Sequence, residues 1–239
     1  EYGVGRIDVS TVVWTENDAC ASLSLKVAVM DPDGQLCKEA TVVVSAETAS
    51  AALSLSIAEA QLWYPNGYGK QPLYEVEMTL LAEGRAVDTK HLRTGIRSLS
   101  YALNEESPKD ALPYTFIING KRIYIQGVNM TPLDHLYGNV LPAQYAYMVE
   151  KIKKANINMI RVWGGGLIEK EVFYDLCDEH GILVWQEFIQ SSSGVDNIPS
   201  QDEEFLLLIQ ASAMEALKVK RNHVSLTVWS GGNELMSAP

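Results

Sequence analysis

Between Lys121 and Ser230 the sequence alternates short apolar runs with helix-period segments, and few folds satisfy that order. "KRIYIQGVN" (Lys121 to Asn129) reads as a strand after an Asn119-Gly120 turn. "LPAQYAYMVEKIKKAN" follows, with Tyr145, Met148, Val149 and Ile152 at helical spacing and Pro142 near the start, where its missing N–H does no harm. "INMIRVW" is a strand, and "EKEVFYDLCDEHG" is a helix closed by Gly181, a suitable left-handed cap. "ILVWQEF" is a strand. Ser200 to Glu203 fits a capping box opening the helix "EEFLLLIQASAMEALKVKRNH", and "SLTVWS" is the last strand. Strands and helices in strict alternation make a parallel α/β domain. The strands are apolar almost throughout, as expected when both faces are covered. A doubly wound sheet and a (β/α)8 barrel both fit; for a barrel, four strands are half.

Up to about Arg97 the period is different. "ASLSLKVAVMD" sets Leu23, Leu25, Val27 and Val29 against Ser, Lys and Ala, the period of a half-buried strand. Asp31 to Gly34, "DPDG", then supplies a turn. "ATVVVSA", "AALSLSIAEA", "LYEVEMTLLAEG" and "RAVDTKHLRTG" repeat the alternation with no helix between them. This predicts a small antiparallel sandwich of immunoglobulin-like type over residues 1–97, followed by the α/β domain over 98–239.

Composition narrows the function classes. The net charge is −11, and the basic clusters "EKIKKAN" and "KVKRNH" fall in helical patterns with apolar residues interleaved, so each reads as a solvated helix face. No nucleic-acid partner is expected. No run of about 18 apolar residues suits a membrane, and the N-terminus lacks a basic region followed by an apolar one; the compartment stays open. Cys20, Cys37 and Cys177 are too few for a disulfide framework and lack metal spacing. A Cys20–Cys37 bridge is sterically open to the sequence but unsupported by it. No metal or cofactor is expected.

In α/β barrels reactive side chains sit at the C-terminal strand ends. Here those ends carry Asn129, with Asp134 and His135 beyond it, then Arg161 and Trp163, then Trp185, Gln186 and Glu187, and finally Asn233 and Glu234. Polar and aromatic groups at four successive strand ends suit a sugar, whose hydroxyls take hydrogen bonds while its C–H face stacks on Trp. Each residue also has a plainer role: a carboxylate in a helix's first turn, a structural ion pair, core aromatics, locally bonded histidines. Gly164-Gly165-Gly166 lacks the Lys and Ser/Thr of a phosphate loop and reads as a tight turn. No Gly-x-Ser-x-Gly elbow supports a serine hydrolase.

Taken together, "QLWYPNGYGKQPLYEVEMTL", "FIINGKRIYIQGVNMTPLD", "ANINMIRVWGGGLIEKEVFYDLCDEHGILVWQEF" and "KRNHVSLTVWSGGNEL" resemble glycoside hydrolase family 2, most closely its β-mannosidase branch. The resemblance implies an immunoglobulin-like domain leading into the first half of a catalytic TIM (β/α)8 barrel, strands one to four. It implies a retaining exo-β-glycosidase acting on terminal β-linked sugars, β-mannosides first, with glucosaminides, galactosides and glucuronides as alternatives. A non-catalytic carbohydrate-binding scaffold is the alternative of another class. Retention uses two carboxyls about 5–5.5 Å apart. Glu234 matches the acid/base, Asn233 the partner of the sugar 2-hydroxyl, and Arg161 the arginine near the nucleophile. Trp163 and Trp185 would shape the −1 pocket; Glu187, Asn129 and Asp134 are further candidates for substrate binding.

The family's nucleophile lies at a seventh strand, which these residues do not include, and its leading jelly-roll domain has no counterpart here. The resemblance therefore implies an internal segment of a longer enzyme, inactive alone and prone to self-association through its open half barrel. Three positions depart from the family pattern: Met130 where Trp is usual after the first-strand Asn, Glu187 where Asp is usual, and Val224 where Pro is usual.

Overall fold

The structure, a computed structural model, describes residues 2–14, 22–192 and 197–236. It divides into two compact units, residues 1–63 with 72–97, and residues 64–71 with 98–239.

The first unit is a β-sandwich. Strands β1 (Tyr2–Val12) and β4 (Ser50–Gln61) pair antiparallel in one sheet. The other has the order β3-β2-β5-β6, with β2 at Leu23–Met30, β3 at Leu36–Val43, β5 at Tyr74–Ala82 and β6 at Arg85–Thr94. The period-2 pattern explains the core: Leu25, Val27 and Val29 face inward with Leu55, Ile57, Tyr74 and Val76. The β2–β3 turn is held by Asp31, whose Oδ1 accepts from the N–H groups of Asp33 and Gln35, both at 2.9 Å. Strand β1 had no clear signal in the sequence. Cys37 is a free thiol, so it forms no bridge; Cys20 lies outside the described residues.

In the second unit the expected single strand Lys121–Asn129 is two. Lys121–Ile123 (β9) closes an antiparallel hairpin with β7 (Leu99–Ala102) and β8 (Thr115–Ile118). Gly127–Met130 (β10) begins a parallel sheet of order β10-β11-β12-β13, continued by Met159–Val162, Leu183–Glu187 and Leu226–Ser230. The run splits because its two ends find different partners, Phe116–Ile118 and Met159–Val162. Helices α1 (Pro142–Lys154) and α2 (Glu171–His180) follow β10 and β11. Gly181 takes φ 74°, the left-handed cap its position predicted. Helix α3 (Glu203–Lys220) is capped by Asp202, whose carboxylate accepts the Phe205 N–H at 3.0 Å, and not by the Ser200 box expected.

One face of the parallel sheet is dry. Ile160, Val162, Val184 and Leu226 pack on Tyr145, Val149, Phe173, Tyr174 and the buried thiol of Cys177. The segment Tyr64–Gln71, although it lies within the first 97 residues, belongs with this unit. Asn66 explains why: its Nδ2 donates to the carbonyls of Lys153 and Ile157 at 3.1 and 3.0 Å, and its N–H donates to Gly181 O at 2.7 Å. The Lys153 carbonyl at the end of α1, which also accepts the Asn156 N–H, thereby gains a further donor, and the Ile157 carbonyl beyond it gains a partner.

A second polar cluster ties β13 to the helices. His223 is buried, with Nδ1 2.7 Å from Asp178 Oδ2 and Nε2 2.9 Å from Glu171 Oε1. Lys220 also pairs with Glu171, and Asp178 Oδ1 accepts the Ser225 N–H at 2.8 Å. Tyr174 stacks on the imidazole. Burial opposes charge on His223, but Asp178 and Glu171 together more than offset it, so its pKa lies above the ordinary 6.5. Burial likewise works against charge on Glu171, and its bonds to Lys220 and His223 prevail, so its pKa lies below 4.5. The raised imidazole contributes stability in full below pH 6.5 and loses it as pH rises through the folded value. The depressed carboxyl contributes above pH 4.5 and loses it as pH falls through its folded value. The cluster is therefore most stabilising between about pH 4.5 and 6.5. Unfolding midpoints measured above pH 6.5 should fall for the natural protein and stay flatter for His223→Gln; parallel profiles would remove His223 as the cause.

Candidate functional site

The sheet's C-terminal ends form the site, and parallel register decides what meets there. Asn129 pairs with Arg161 and Arg161 with Trp185, so these three side chains project from one face of adjacent strands. Arg161 is the hub. Its Nη1 donates to Asn129 Oδ1 at 3.2 Å, and its Nη2 donates to Glu187 Oε2 at 2.9 Å and Asn233 Oδ1 at 2.7 Å. One guanidinium thus joins β10, β11, β12 and the turn that follows β13. Its central carbon lies 5.7 Å from the Trp185 ring centroid, within cation–π range.

Glu187 is the most enclosed acid of the set, its side chain 3% exposed against 22% for Arg161. Both carboxylate oxygens are engaged. Oε2 accepts from Arg161 and from the Gly164 N–H at 2.9 Å, and Oε1 accepts from Ser230 Oγ at 3.3 Å. Ser230 in turn accepts the Trp185 indole N–H at 2.8 Å, fixing that ring. A charge so buried is stable only when paired and bonded, as here.

Gly164 has to be glycine for a steric reason. A Cβ there would fall 2.5 Å from Gln190 O and 2.7 Å from Phe188 O. The triplet Gly164-Gly165-Gly166 is the tight turn expected, closed by the Gly166 N–H on Trp163 O at 3.1 Å. Trp163 folds back over Gly165, whose hydrogen faces the indole where a Cβ would come within 2.1 Å.

After β13 the backbone turns through Gly231 and Gly232 to Asn233 and Glu234. Asn233 is buried, and its Nδ2 donates to Ser191 Oγ at 3.2 Å. Glu234 is exposed, with Oε2 accepting from Ser192 Oγ at 2.9 Å. Its φ of 53° puts a non-glycine residue in the left-handed region.

The structure therefore brings Asn129, Arg161, Trp185, Glu187 and Asn233 into one bonded cluster, with Glu234 next to Asn233. Asp134 is not joined to it among the described residues; its Oδ1 accepts the Leu136 N–H at 2.8 Å, a local turn. His135 is exposed. Sequence reasoning missed Ser191 and Ser192, whose only signal was a polar run, "QSSSG", shortly after a strand, and Ser230, the last residue of the strand "SLTVWS". It also missed a buried line behind β12. Tyr145 bonds to Glu169; Tyr174 Oη accepts the Glu169 N–H and donates to Gln186 Oε1 at 2.6 Å; Gln186 Nε2 donates to Glu187 O at 2.8 Å. Burial pushes the Glu169 carboxyl above its usual range, and it pushes the Tyr145 and Tyr174 phenols up as well.

A β-sandwich followed in sequence by part of a (β/α)8 barrel, with a polar and aromatic cluster at the strand ends, sets the class of fold. Residues 113–238 match the family described as glycosyl hydrolases family 2, TIM barrel domain, and residues 2–97 match glycosyl hydrolases family 2. The chain belongs to glycosyl hydrolase family 2. Among its relatives, beta-mannosidase B of Thermothelomyces thermophilus is 38% identical over 84% of this chain and 23% of that protein. The mannosylglycoprotein endo-beta-mannosidase of Lilium longiflorum is 38% identical over 72% of this chain and 18% of that one. The crystal structure of the beta-D-mannosidase from Dictyoglomus thermophilum superposes with a TM-score of 0.79 at 31% identity, covering 97% of this chain and 27% of that chain. A beta-glucuronidase from Parabacteroides merdae shares the fold at 20% identity and a TM-score of 0.74. The chain spans about a quarter or less of the length of these relatives.

Proposed function

We propose that these residues form part of a retaining exo-β-glycosidase whose preferred substrates are terminal β-mannosides, with Glu234 as its acid/base. The observation that carries this reading is the Arg161 fork, which gathers Asn129, Glu187 and Asn233 beside Glu234. Within that group the two carboxyls have different environments. Glu187 is enclosed and has both oxygens occupied, which suits a structural anion. Glu234 is exposed and, among the described residues, has a partner on Oε2 alone. It would protonate the glycosidic oxygen as the C–O bond breaks, then take a proton from the incoming water. Asn233, its Oδ1 held by Arg161, would offer a remaining Nδ2 hydrogen to the sugar 2-hydroxyl. Trp163 and Trp185 would flank the ring, with Asn129 at the rim.

Retention needs a second carboxyl about 5–5.5 Å from the first. Glu187 is committed to Arg161, so the nucleophile is expected from chain beyond these residues, and the 239-residue chain alone should be inactive. Two further facts support a longer parent: the share of the relatives covered, and the exposure of Leu207 and Leu208 on α3 at 61% and 66%. The mannoside preference rests on the names of the relatives at 30% identity or more.

The test is a panel of 4-nitrophenyl β-glycosides, run on the full-length protein and on the 239-residue chain. The full-length protein should show its highest kcat/KM on the mannoside, and the short chain should turn over none. A tenfold preference for the glucoside, galactoside, glucuronide or N-acetylglucosaminide would overturn the sugar assignment. Turnover by the short chain that is lost in Glu234→Gln would overturn the missing-nucleophile reading. Cleavage of internal β-mannosyl linkages in preference to terminal ones would move the assignment from exo to endo.

A further inference from the structure

We propose that Ser192 is a positioning residue for Glu234, acting within a short clamp formed by Ser191 and Ser192 just beyond β12; this rests on the acid/base reading of Glu234. The clamp is made of backbone and side chain together. Asn233 N–H donates to Gln190 O at 2.9 Å and Ser192 N–H donates to Asn233 O at 3.0 Å, an isolated parallel bridge between residues 191 and 233. On that frame Ser191 Oγ accepts from Asn233 Nδ2, and Ser192 Oγ donates to Glu234 Oε2. Two consecutive serines thus hold two consecutive site residues, one hydroxyl each.

The local backbone adds to the picture. Glu234 sits at φ 53°, a region that residues with a Cβ adopt infrequently. The turn before it needs Gly232, at φ 154°, where a Cβ would lie 2.7 Å from Gln190 O. Gln190 is thus the backstop for the turn, and the serines after it fix what the turn delivers. An exposed glutamate otherwise samples many rotamers. Holding Oε2 limits that freedom and leaves Oε1 to face a glycosidic oxygen, so the group enters the reaction oriented. No proton passes through Ser192 in this scheme; its hydroxyl hydrogen stays on Oγ while Glu234 cycles.

Arg161 and Glu187, the other charged members of the cluster, bond to Asn129, Asn233, Gly164, Ser230 and each other, and among the described residues neither bonds to Glu234. Among the described residues, the Ser192 hydroxyl is therefore the contact that acts on the Glu234 carboxyl itself. Because it competes with water at an exposed group, its loss should cost roughly tenfold in rate, well short of removing the carboxyl.

The test uses the full-length protein and β-glycosides of its best sugar with aryl leaving groups from 2,4-dinitrophenol to phenol. Proton donation matters little for the first and much for the last. Ser192→Ala should lower kcat/KM about tenfold on the phenyl glycoside and less than twofold on the dinitrophenyl one, with KM nearly unchanged. Ser192→Thr, which keeps the hydroxyl, should restore most of the loss, and matching unfolding midpoints would establish that both variants fold. An equal loss on every leaving group, or none, would overturn the positioning role. Glu234→Gln is the control: if it too lacks the leaving-group dependence, the acid/base reading itself fails. If it shows that dependence while Ser192→Ala does not, only the clamp fails.

Discussion

In the full-length protein, Glu234→Gln is expected to lower kcat/KM on a glycoside with a poor leaving group by roughly 10²–10⁴-fold, the usual worth of a positioned proton donor. Gln is close to Glu in size and can still bond to Ser192, so the loss should come from the missing proton and not from collapse of the turn. A second signature distinguishes this from general damage. With a dinitrophenyl leaving group the first step needs little help, so the glycosyl intermediate should form readily and then persist, because water is no longer deprotonated. A small anionic nucleophile such as azide needs no deprotonation and should speed its release. A loss below tenfold on the poor leaving group, or one indifferent to azide, would remove Glu234 from the acid/base role.

Arg161→Ala should produce the largest loss of stability. Glu187 is almost wholly buried, and without the guanidinium its charge retains, among the described residues, only the Gly164 N–H and the Ser230 hydroxyl. Stranding one member of a buried pair costs about 3–5 kcal/mol, and the partial exposure of Arg161 favours the lower end. Asn233 Oδ1 loses its 2.7 Å donor in the same step. The informative comparison is the double variant Arg161→Ala with Glu187→Gln, which removes the stranded charge. Chemical denaturation should find it more stable than Arg161→Ala alone, a coupling that independent sites do not show. Simple additivity of the two single changes would mean that the pair is not what holds the strand ends together.

Much of this architecture was legible because period and strand-end chemistry are local. The period-2 pattern at Leu25, Val27 and Val29 and the helical spacing at Tyr145, Met148, Val149 and Ile152 marked strands and a helix that the structure contains. Gly181 marked the end of α2. Where the sequence failed, partner choice intervened. Nothing within Lys121–Asn129 says that its first residues pair antiparallel with β8 and its last pair parallel with β11. Strands β7 and β8, four residues each, are too short for a pattern to be distinct. Asn66, in a segment resembling the end of a sandwich domain, is recruited by carbonyls 87 and 91 residues away.

The division is similar at the site. Sequence alone determined which chemical groups stand at four strand ends, because in a parallel sheet those ends follow from the order of the elements. That accounts for Asn129, Arg161, Trp185, Glu187, Asn233 and Glu234 as candidates. Tertiary structure alone decided how they are divided: Glu187 saturated by Arg161, Gly164 and Ser230, and Glu234 left exposed with one oxygen held by Ser192. Two glutamates of identical composition acquire different environments through burial and bonding, and both depend on contacts between residues distant in the chain.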